Sequence, residues 1–119
     1  MPLDLTRLSQ QKLPTETVAV PEWADLFNVS EVTVGCLDTG ERGLFDHGTP
    51  DDAMQADKTS VARFVAWCLR EDGHRMYEEP ELAAQHLACV DSRIMRRLFL
   101  ACKRVNGIGV EAVETAEKN

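Results

Sequence analysis

The chain has 119 residues, of which 44% are hydrophobic and 28% charged, and this composition is typical of one soluble domain. Its apolar runs, such as Leu98–Cys102, are far shorter than the roughly 20 residues of a transmembrane helix. The first residues show no basic flank followed by an apolar run, the mark of a secretory signal. We therefore expect a cytoplasmic protein with no membrane partner.

The net charge of −7 is the opposite of the basic excess that general nucleic-acid binders use to displace counterions. The charge is also uneven, since residues 1–57 carry a net −8 and residues 58–119 a net +1. Such asymmetry allows either head-to-tail self-association or two ordinary solvated halves. Both interpretations stay open from the sequence, and nucleic acid is an unlikely partner.

The four cysteines show no Cys-x-x-Cys spacing, and without an export signal they do not predict a disulfide framework. Cys68, Cys89 and Cys102 fall in helical stretches, where free cysteine acts as a small buried hydrophobe. His86 and Cys89 would have to begin any metal site. Zinc needs four ligands, usually in two close pairs. No second pair is present, so we expect no metal.

The first part of the chain predicts a flexible leader and a small β element. The leader covers residues 1–17 and contains a helical turn around Asp4–Ser9. Thr17–Val20 is short and β-branched, and Glu31–Leu37 alternates with the period of a half-buried strand. The two segments predict an antiparallel pair within 18–37. Such a pair is marginal alone and must pack on helices.

Trp23 and Phe27 fall in the connection of this β pair. A turn follows at 38–40, then one helical turn at 41–45 and a loop at 47–52 that is rich in Gly, Pro and Asp. No repeat or low-complexity segment interrupts this order. We therefore expect the helical part of the domain to begin only after this loop.

The first long helix is predicted from about Ala56 to Glu71, with Asp72-Gly73 as its end. At 100° per residue, its polar side holds Arg63 and Arg70, and Trp67 falls among these polar residues. One apolar arc fills the other side. Its members are Val61, Ala62, Phe64, Val65, Cys68 and Leu69.

The second helix is predicted to begin at Glu79-Pro80, since proline suits the first helical position. The third begins at Asp91 or Ser92 and ends at Asn106-Gly107, where glycine supports a left-handed cap. Together these elements predict a mainly α (α+β) fold, a three-helix core over 56–106 with a small N-terminal antiparallel β element. The single domain spans 18–107, and a polar tail spans 108–119.

Half of the third helix is apolar and the other half is basic. Leu100 projects into the middle of the basic half. A single exposed leucine is ordinary, whereas an apolar anchor among arginines is typical of protein interfaces. Both interpretations stay open. The candidate interface residues are Leu100, Arg93, Arg97, Arg104 and Trp67.

Catalysis requires a nucleophile with a base, or an acid with a base, in one place. His47, His74 and His86 lie in a loop, a turn and a short helix, and none belongs to a known catalytic signature. The glycines match no phosphate-binding pattern. We therefore expect a protein that is not an enzyme and that binds no cofactor.

An alternative function comes from the second and third helices, which resemble a helix-turn-helix across residues 80–87 and 91–106. A recognition helix would present Ser92, Arg93 and Arg96 with Arg97 to the major groove. The acidity of the chain and the absence of glycine in the turn disfavour this DNA-binding regulator.

Several segments resemble a family by their order and spacing. Leu13–Trp23 contains Val-Ala-Val-Pro-Glu-Trp, and Leu37–Arg42 reads Leu-Asp-Thr-Gly-Glu-Arg. The apolar helix Val61–Leu69 precedes Asp72–Tyr77, which resembles an Asp-Gly-x-x-Phe/Tyr turn. The last helix ends at Asn106-Gly107. Together they resemble the tail assembly chaperones of long-tailed, siphovirus-type bacteriophages, over most of the chain.

Two positions depart from the family's pattern. Ala24–Phe27 stands where Gly-Gly often follows the tryptophan, which predicts a longer connection in the hairpin. Cys36 replaces a more usual arginine. The shared motifs are structural, and the resemblance therefore implies a fold and a way of binding rather than a reaction.

The resemblance implies a chaperone that binds and solubilises the tape measure protein and helps recruit tail tube protein during tail assembly. Many copies would coat the client, so we expect a homo-oligomer. The expected location is the host cell cytoplasm, with the protein absent from the mature virion. Some relatives also make a longer frameshifted form. A plain structural or scaffolding subunit is the third hypothesis.

Overall fold

The computed structural model describes residues 3–48 and 53–108, without the side chains of 53–57. Within these ranges the fold is mixed α and β, with six α-helices and one four-stranded antiparallel sheet. The expected combination of helices with an N-terminal β element is therefore confirmed, but the sheet is larger than predicted. Of the predicted tail, only Ile108 belongs to the described residues.

The sheet has the strand order β1-β2-β3-β4. Strand β1 (Thr15–Ala19) pairs with β2 (Glu31–Gly35) in the register Thr15 to Gly35 and Ala19 to Glu31. The antiparallel pair predicted within 18–37 is thus present. Its first strand starts inside the predicted leader, because the pairing continues back to Thr15.

Strands β3 (Leu69–Glu71) and β4 (His74–Arg75) extend the sheet beyond this pair. Asp72 and Gly73 connect them with φ values of 51° and 81°. A two-residue Asp-Gly loop with positive φ at both positions suits the twist of a β-hairpin. The prediction that the first long helix runs to Glu71 and ends at Asp72-Gly73 is therefore wrong.

Short helical segments surround the first two strands. Helix α1 (Leu5–Ser9) begins where the Asp4 side chain accepts from the Thr6 and Arg7 amides, as the predicted turn requires. A 3₁₀ turn at 21–23 and helix α2 (Ala24–Phe27) form the connection between β1 and β2. This connection is longer than a tight hairpin turn, as the sequence indicates.

Helix α3 (Thr39–His47) begins with a capping box. The Asp38 carboxylate accepts from the Glu41 amide at 2.7 Å, and the Glu41 carboxylate accepts from the Asp38 amide at 3.3 Å. These bonds satisfy two amides that a helix start leaves open. The helix is therefore longer than the single turn predicted at 41–45.

After α3, the last two helices follow the sequence signals closely, whereas the first long helix starts and ends three residues earlier than predicted. Helix α4 spans Ala53–Cys68, α5 spans Pro80–Leu87 with proline at its start, and α6 spans Ser92–Val105. The Asp91 side chain caps α6 through the Arg93 amide at 2.8 Å. Gly107 has a φ of 67°, in the left-handed region predicted for the end of this helix.

The main core lies between one face of the sheet and helices α4 and α6. Helix α5 contributes Ala84 to a separate small cluster with Ala62 and Ala66 of α4. The predicted three-helix core is therefore not confirmed. The most buried side chains of the main core are Val20, Val34, Val65, Cys68, Leu98 and Cys102.

The burial of Cys89 and of Arg63 differs from the prediction. Cys89, expected to be a buried hydrophobe, is exposed at the end of α5, whereas Cys68 and Cys102 are buried as expected. Arg63 was placed on the polar side of its helix, yet it is buried. The reason is that α3 and α5 cover that side of α4 and supply partners for the guanidinium.

Candidate protein-binding surfaces

Arg97 lies on the side of α6 that faces the end of β1. Its guanidinium donates to both carboxylate oxygens of Glu22, at 3.0 and 2.8 Å, and to the Ala19 carbonyl at 3.0 Å. These hydrogen bonds lower the pKa of the Glu22 carboxyl to about 2. Arg97 therefore fastens α6 to the segment after β1.

Arg104 repeats this arrangement two turns later along α6. It binds the Glu16 carboxylate of β1, with an Nε to Oε1 distance of 3.1 Å, and this hydrogen bond lowers the pKa of Glu16. Arg93 is engaged locally, with its Nη2 atom 2.9 Å from the Asp91 carboxylate. All three predicted interface arginines thus have carboxylate partners within the chain.

Leu100 shares this side of α6 with Arg97 and Arg104, and it is half-buried. Its interpretation as an interface anchor stays a prediction. Both of these neighbouring arginines are held within the chain, by Glu16 of β1 and by Glu22 after it.

Trp67 lies in the core, and its prediction as a surface interface residue is wrong. Its indole Nε1 donates to Glu81 of α5 at 3.0 Å, and the Arg75 guanidinium lies 5.0 Å from its ring. The helical wheel placed it among polar residues. Glu81 of α5 and Arg75 of β4 cover Trp67 itself, so this off-stripe position is still buried.

Arg63 and Glu81 form the most enclosed ion pair of α4. The Arg63 Nε atom lies 2.6 Å from the Glu81 carboxylate, and its guanidinium lies 4.3 Å from the Phe45 ring of α3 and donates to the Phe45 carbonyl. Because Glu81 also accepts from Trp67, one carboxylate joins α4 to α5. This network serves the fold rather than a binding site.

A groove with a volume of about 430 Å³ runs between α4, α6 and the end of α5, and we call it the basic-rimmed groove. Its floor is apolar, and its cations lie at the edges. The floor consists of Val61, Ala62, Leu87, Ala88, Val90, Met95 and Phe99. Lys58, Arg93 and Arg96 form the rim, and all three are exposed.

A second groove, of about 740 Å³, lies at the end of the sheet where β2 begins, and we call it the acidic-rimmed groove. Its exposed acids are Glu31, Glu71 and Asp72. Arg70 also lines it, but its guanidinium lies 3.1 Å from the Glu41 carboxylate. The apolar lining residues are Trp23, Phe27, Val29, Val32, Leu69, Met76, Tyr77, Leu87 and Val90.

The sequence carried a partial signal for both grooves. The apolar arc of α6 fills half of the helical wheel. The sheet and α4 leave part of this arc uncovered, since Phe99 at its edge is only half-buried. Trp23 and Phe27 stand in a connection, where aromatic side chains are not needed for a turn. Neither signal indicates which elements meet there, because the grooves join distant parts of the chain.

Catalytic and metal-binding chemistry has few candidates here. His47, His74 and His86 are all exposed and lie on α3, β4 and α5. Across residues 3–48 and 53–108, the His, Cys, Asp and Glu side chains form no group of three that could hold a metal ion. Over the same part of the chain, no helix has the length and apolar character needed to cross a bilayer.

The helix-turn-helix candidate is formed by α5 and α6. Ser92, Arg93 and Arg96 are exposed on the first turns of α6, while Arg97 is occupied by Glu22. Two of the four proposed DNA-contacting residues, Arg93 and Arg97, therefore have carboxylate partners within the chain.

No protein-family model, curated protein or solved structure matches this chain. Functional proposals consequently depend on the two grooves and on the resemblance of the sequence motifs.

Proposed function

We propose that this protein is a tail assembly chaperone of a long-tailed bacteriophage, which holds the tape measure protein soluble in the host cytoplasm and helps recruit tail tube protein. It acts by adhesion and catalyses no reaction. The basic-rimmed groove is its client site. The order of the sequence motifs supports the class of protein, and the groove supports the binding mode.

The observation that carries the proposal is an apolar floor left open between two helices and bordered by cations. Val61 of α4 is 38% exposed in this floor, although it belongs to the apolar stripe of its helix. A groove between helices receives an amphipathic helix, whose apolar stripe contacts the floor. Lys58 and Arg96 select a client helix whose stripe is flanked by acidic residues, since Arg93 is already engaged by Asp91.

The size of the groove suits a transient complex. It offers one short stretch of apolar contact, so a single copy binds weakly. Many copies along one long client bind strongly in sum, since each bound copy raises the effective concentration of the next contact. A chaperone that must leave when the tube assembles requires this combination.

The experiment is co-expression with the product of the very long reading frame expected just downstream, scored by the soluble fraction of that client. We expect wild type to keep the client soluble, and Val61→Asp and Arg96→Glu to lose that effect. Leu44→Asp is the matched control, since Leu44 is 62% exposed on α3 and lies outside the groove. Circular dichroism checks that each variant is folded.

Equal solubilisation by Val61→Asp and wild type would remove the groove from the proposal. A client that is soluble without the protein would remove the chaperone function itself. The DNA-binding alternative is favoured only by the exposure of Ser92, Arg93 and Arg96. Specific retention of duplex DNA at low salt, lost in Arg96→Glu, would support that alternative instead.

A further inference from the structure

The N-terminal arm, residues 3–13, presents leucines that its own domain leaves uncovered. Leu3 and Leu5 are 73% and 77% exposed, Leu8 is 46% exposed, and α1 has no buried residue. Leu5 and Leu8 are three residues apart in a helix and therefore lie on one face. The helix is nevertheless ordered locally by its Asp4 cap. The arm is thus a short ordered segment whose leucines are not buried against its own domain.

The acidic-rimmed groove of the same molecule offers an apolar lining that suits these leucines. Phe27 is 63% exposed there, and its ring meets Trp23 edge to face at 6.0 Å between centroids. Tyr77 and Val29, which also line the groove, are exposed as well. A concave site lined by aromatic and aliphatic side chains is typical of ligand binding.

Charge favours the pairing of this arm with this groove. Arg7 and Lys12 give residues 3–14 a net positive charge against the single acid Asp4. The groove's rim is acidic, because its only lining arginine is held by Glu41. The other groove, with its basic rim, offers the arm no such attraction.

The connection of the arm to the sheet favours exchange between molecules. The arm joins β1 at Thr15, and the Cys36 amide fixes the preceding Pro14 carbonyl at 3.0 Å. Thr15 pairs with Gly35 at one end of β2, whereas the groove lies beside Glu31 at the other end. The arm therefore leaves the sheet at the end away from Glu31, and residues 11–14 line a separate cavity of their own domain, which shares Arg70 and Asp72 with the groove.

We propose that the leucine arm of one copy docks in the acidic-rimmed groove of a second copy, so that the protein self-associates by arm exchange. Leu5 and Leu8 enter between Phe27 and Tyr77, and Arg7 and Lys12 face the rim. The site differs from the client groove, and its test needs no client, so it stands or falls independently of the chaperone proposal.

The test measures molar mass across a concentration series by light scattering and sedimentation equilibrium. Wild type is expected to associate as its concentration rises. The double variant Leu5→Ser/Leu8→Ser removes two leucines that docking would bury. Each loss is expected to raise the dissociation constant about tenfold, so the double variant raises it about 100-fold. Phe27→Ser weakens association from the groove side. Leu26→Ser is the matched control, since Leu26 is 77% exposed beside Phe27 but does not line the groove.

Mixing the arm variant with the groove variant tests whether the two surfaces bind each other. Arm and groove variants that fail to associate separately are expected to associate when mixed, because the intact arm of one meets the intact groove of the other. A wild type that stays monomeric at every concentration would overturn the proposal, as would docking of the arm in its own domain, which leaves every mass monomeric. Equal weakening by Leu26→Ser and Phe27→Ser would also overturn it.

Discussion

The chain contains two kinds of arginine–carboxylate pair that look alike in chemistry and differ in burial. The Arg63 side chain is almost fully covered where it meets Glu81, whereas Arg97 is about two-fifths exposed where it meets Glu22, and both carboxylates are about two-fifths exposed. Geometry alone ranks them as equals, since both are short. Burial separates them, because an enclosed charge that loses its partner has no water to replace it, while an exposed one does.

The largest expected loss of stability is that of Glu81→Ala. It strips the buried Arg63 guanidinium of its carboxylate and Trp67 of its acceptor, and we expect a loss of about 3 kcal/mol in the free energy of unfolding. Urea denaturation followed by tryptophan fluorescence measures it. Glu78→Ala, an exposed neighbour, is the control. A loss as small as that of the control would mean that water reaches Arg63.

Asn106→Ala tests the uncharged hydrogen bonds of a half-buried side chain. The Asn106 side chain accepts from the Leu37 amide at 2.9 Å and donates to the Cys102 carbonyl at 2.8 Å, which joins the end of α6 to the segment after β2. Leaving the Leu37 amide without its acceptor costs about 2 kcal/mol. Asn106→Asp keeps that acceptor and is expected to lose less. Equal losses for both would assign the effect to the donor.

Glu22→Gln is expected to change thermal stability little. The carboxylate is solvent-exposed, and water and salt replace what Arg97 supplies. Calorimetry at low salt is the measurement, with Glu31→Gln, also exposed, as control. A loss comparable with that of Glu81→Ala would show that the surface pair holds α6 in place.

The smallest expected effect is the dependence of the free energy of unfolding on acidic pH. Hydrogen bonds from Arg97 and Arg93 lower the pKa values of Glu22 and Asp91 to about 2 in the folded state, whereas the usual values are 4.5 and 3.8. The stabilisation is therefore fully present above about 4.5 and lost as the pH falls toward 2. Glu22→Gln should flatten part of this slope, and added salt should reduce it. An unchanged slope in both would contradict the assignment.

Local signals in the sequence were sufficient for the helix ends. Pro80, Asp91 and Asn106-Gly107 each act on their own backbone, so the bounds of α5 and α6 follow from them. Asp72-Gly73 acts locally too, but the same dipeptide ends a helix or turns a hairpin. The strand partners of β3, which lie in β2, decide between these outcomes and are distant in the sequence.

Burial around α4 was beyond local reasoning. A single apolar arc predicts one covered face, but α4 is covered on several sides, by α6 and the sheet as well as by α3 and α5. Arg63 and Trp67 became buried because Glu81, 18 and 14 residues away, supplies a carboxylate to both. For the same reason the helical wheel could identify the basic face of α6 but not that Glu16 and Glu22 occupy its arginines.

The contact of Arg97 with the Ala19 carbonyl has a consequence for the sheet. Strand β1 is an outermost strand, and by its register the backbone groups of Thr15, Thr17 and Ala19 point away from β2. An unprotected edge of this kind recruits foreign strands and seeds aggregation. By donating to the last of these carbonyls from a bulky charged side chain, Arg97 of α6 shields this end of the sheet's open edge.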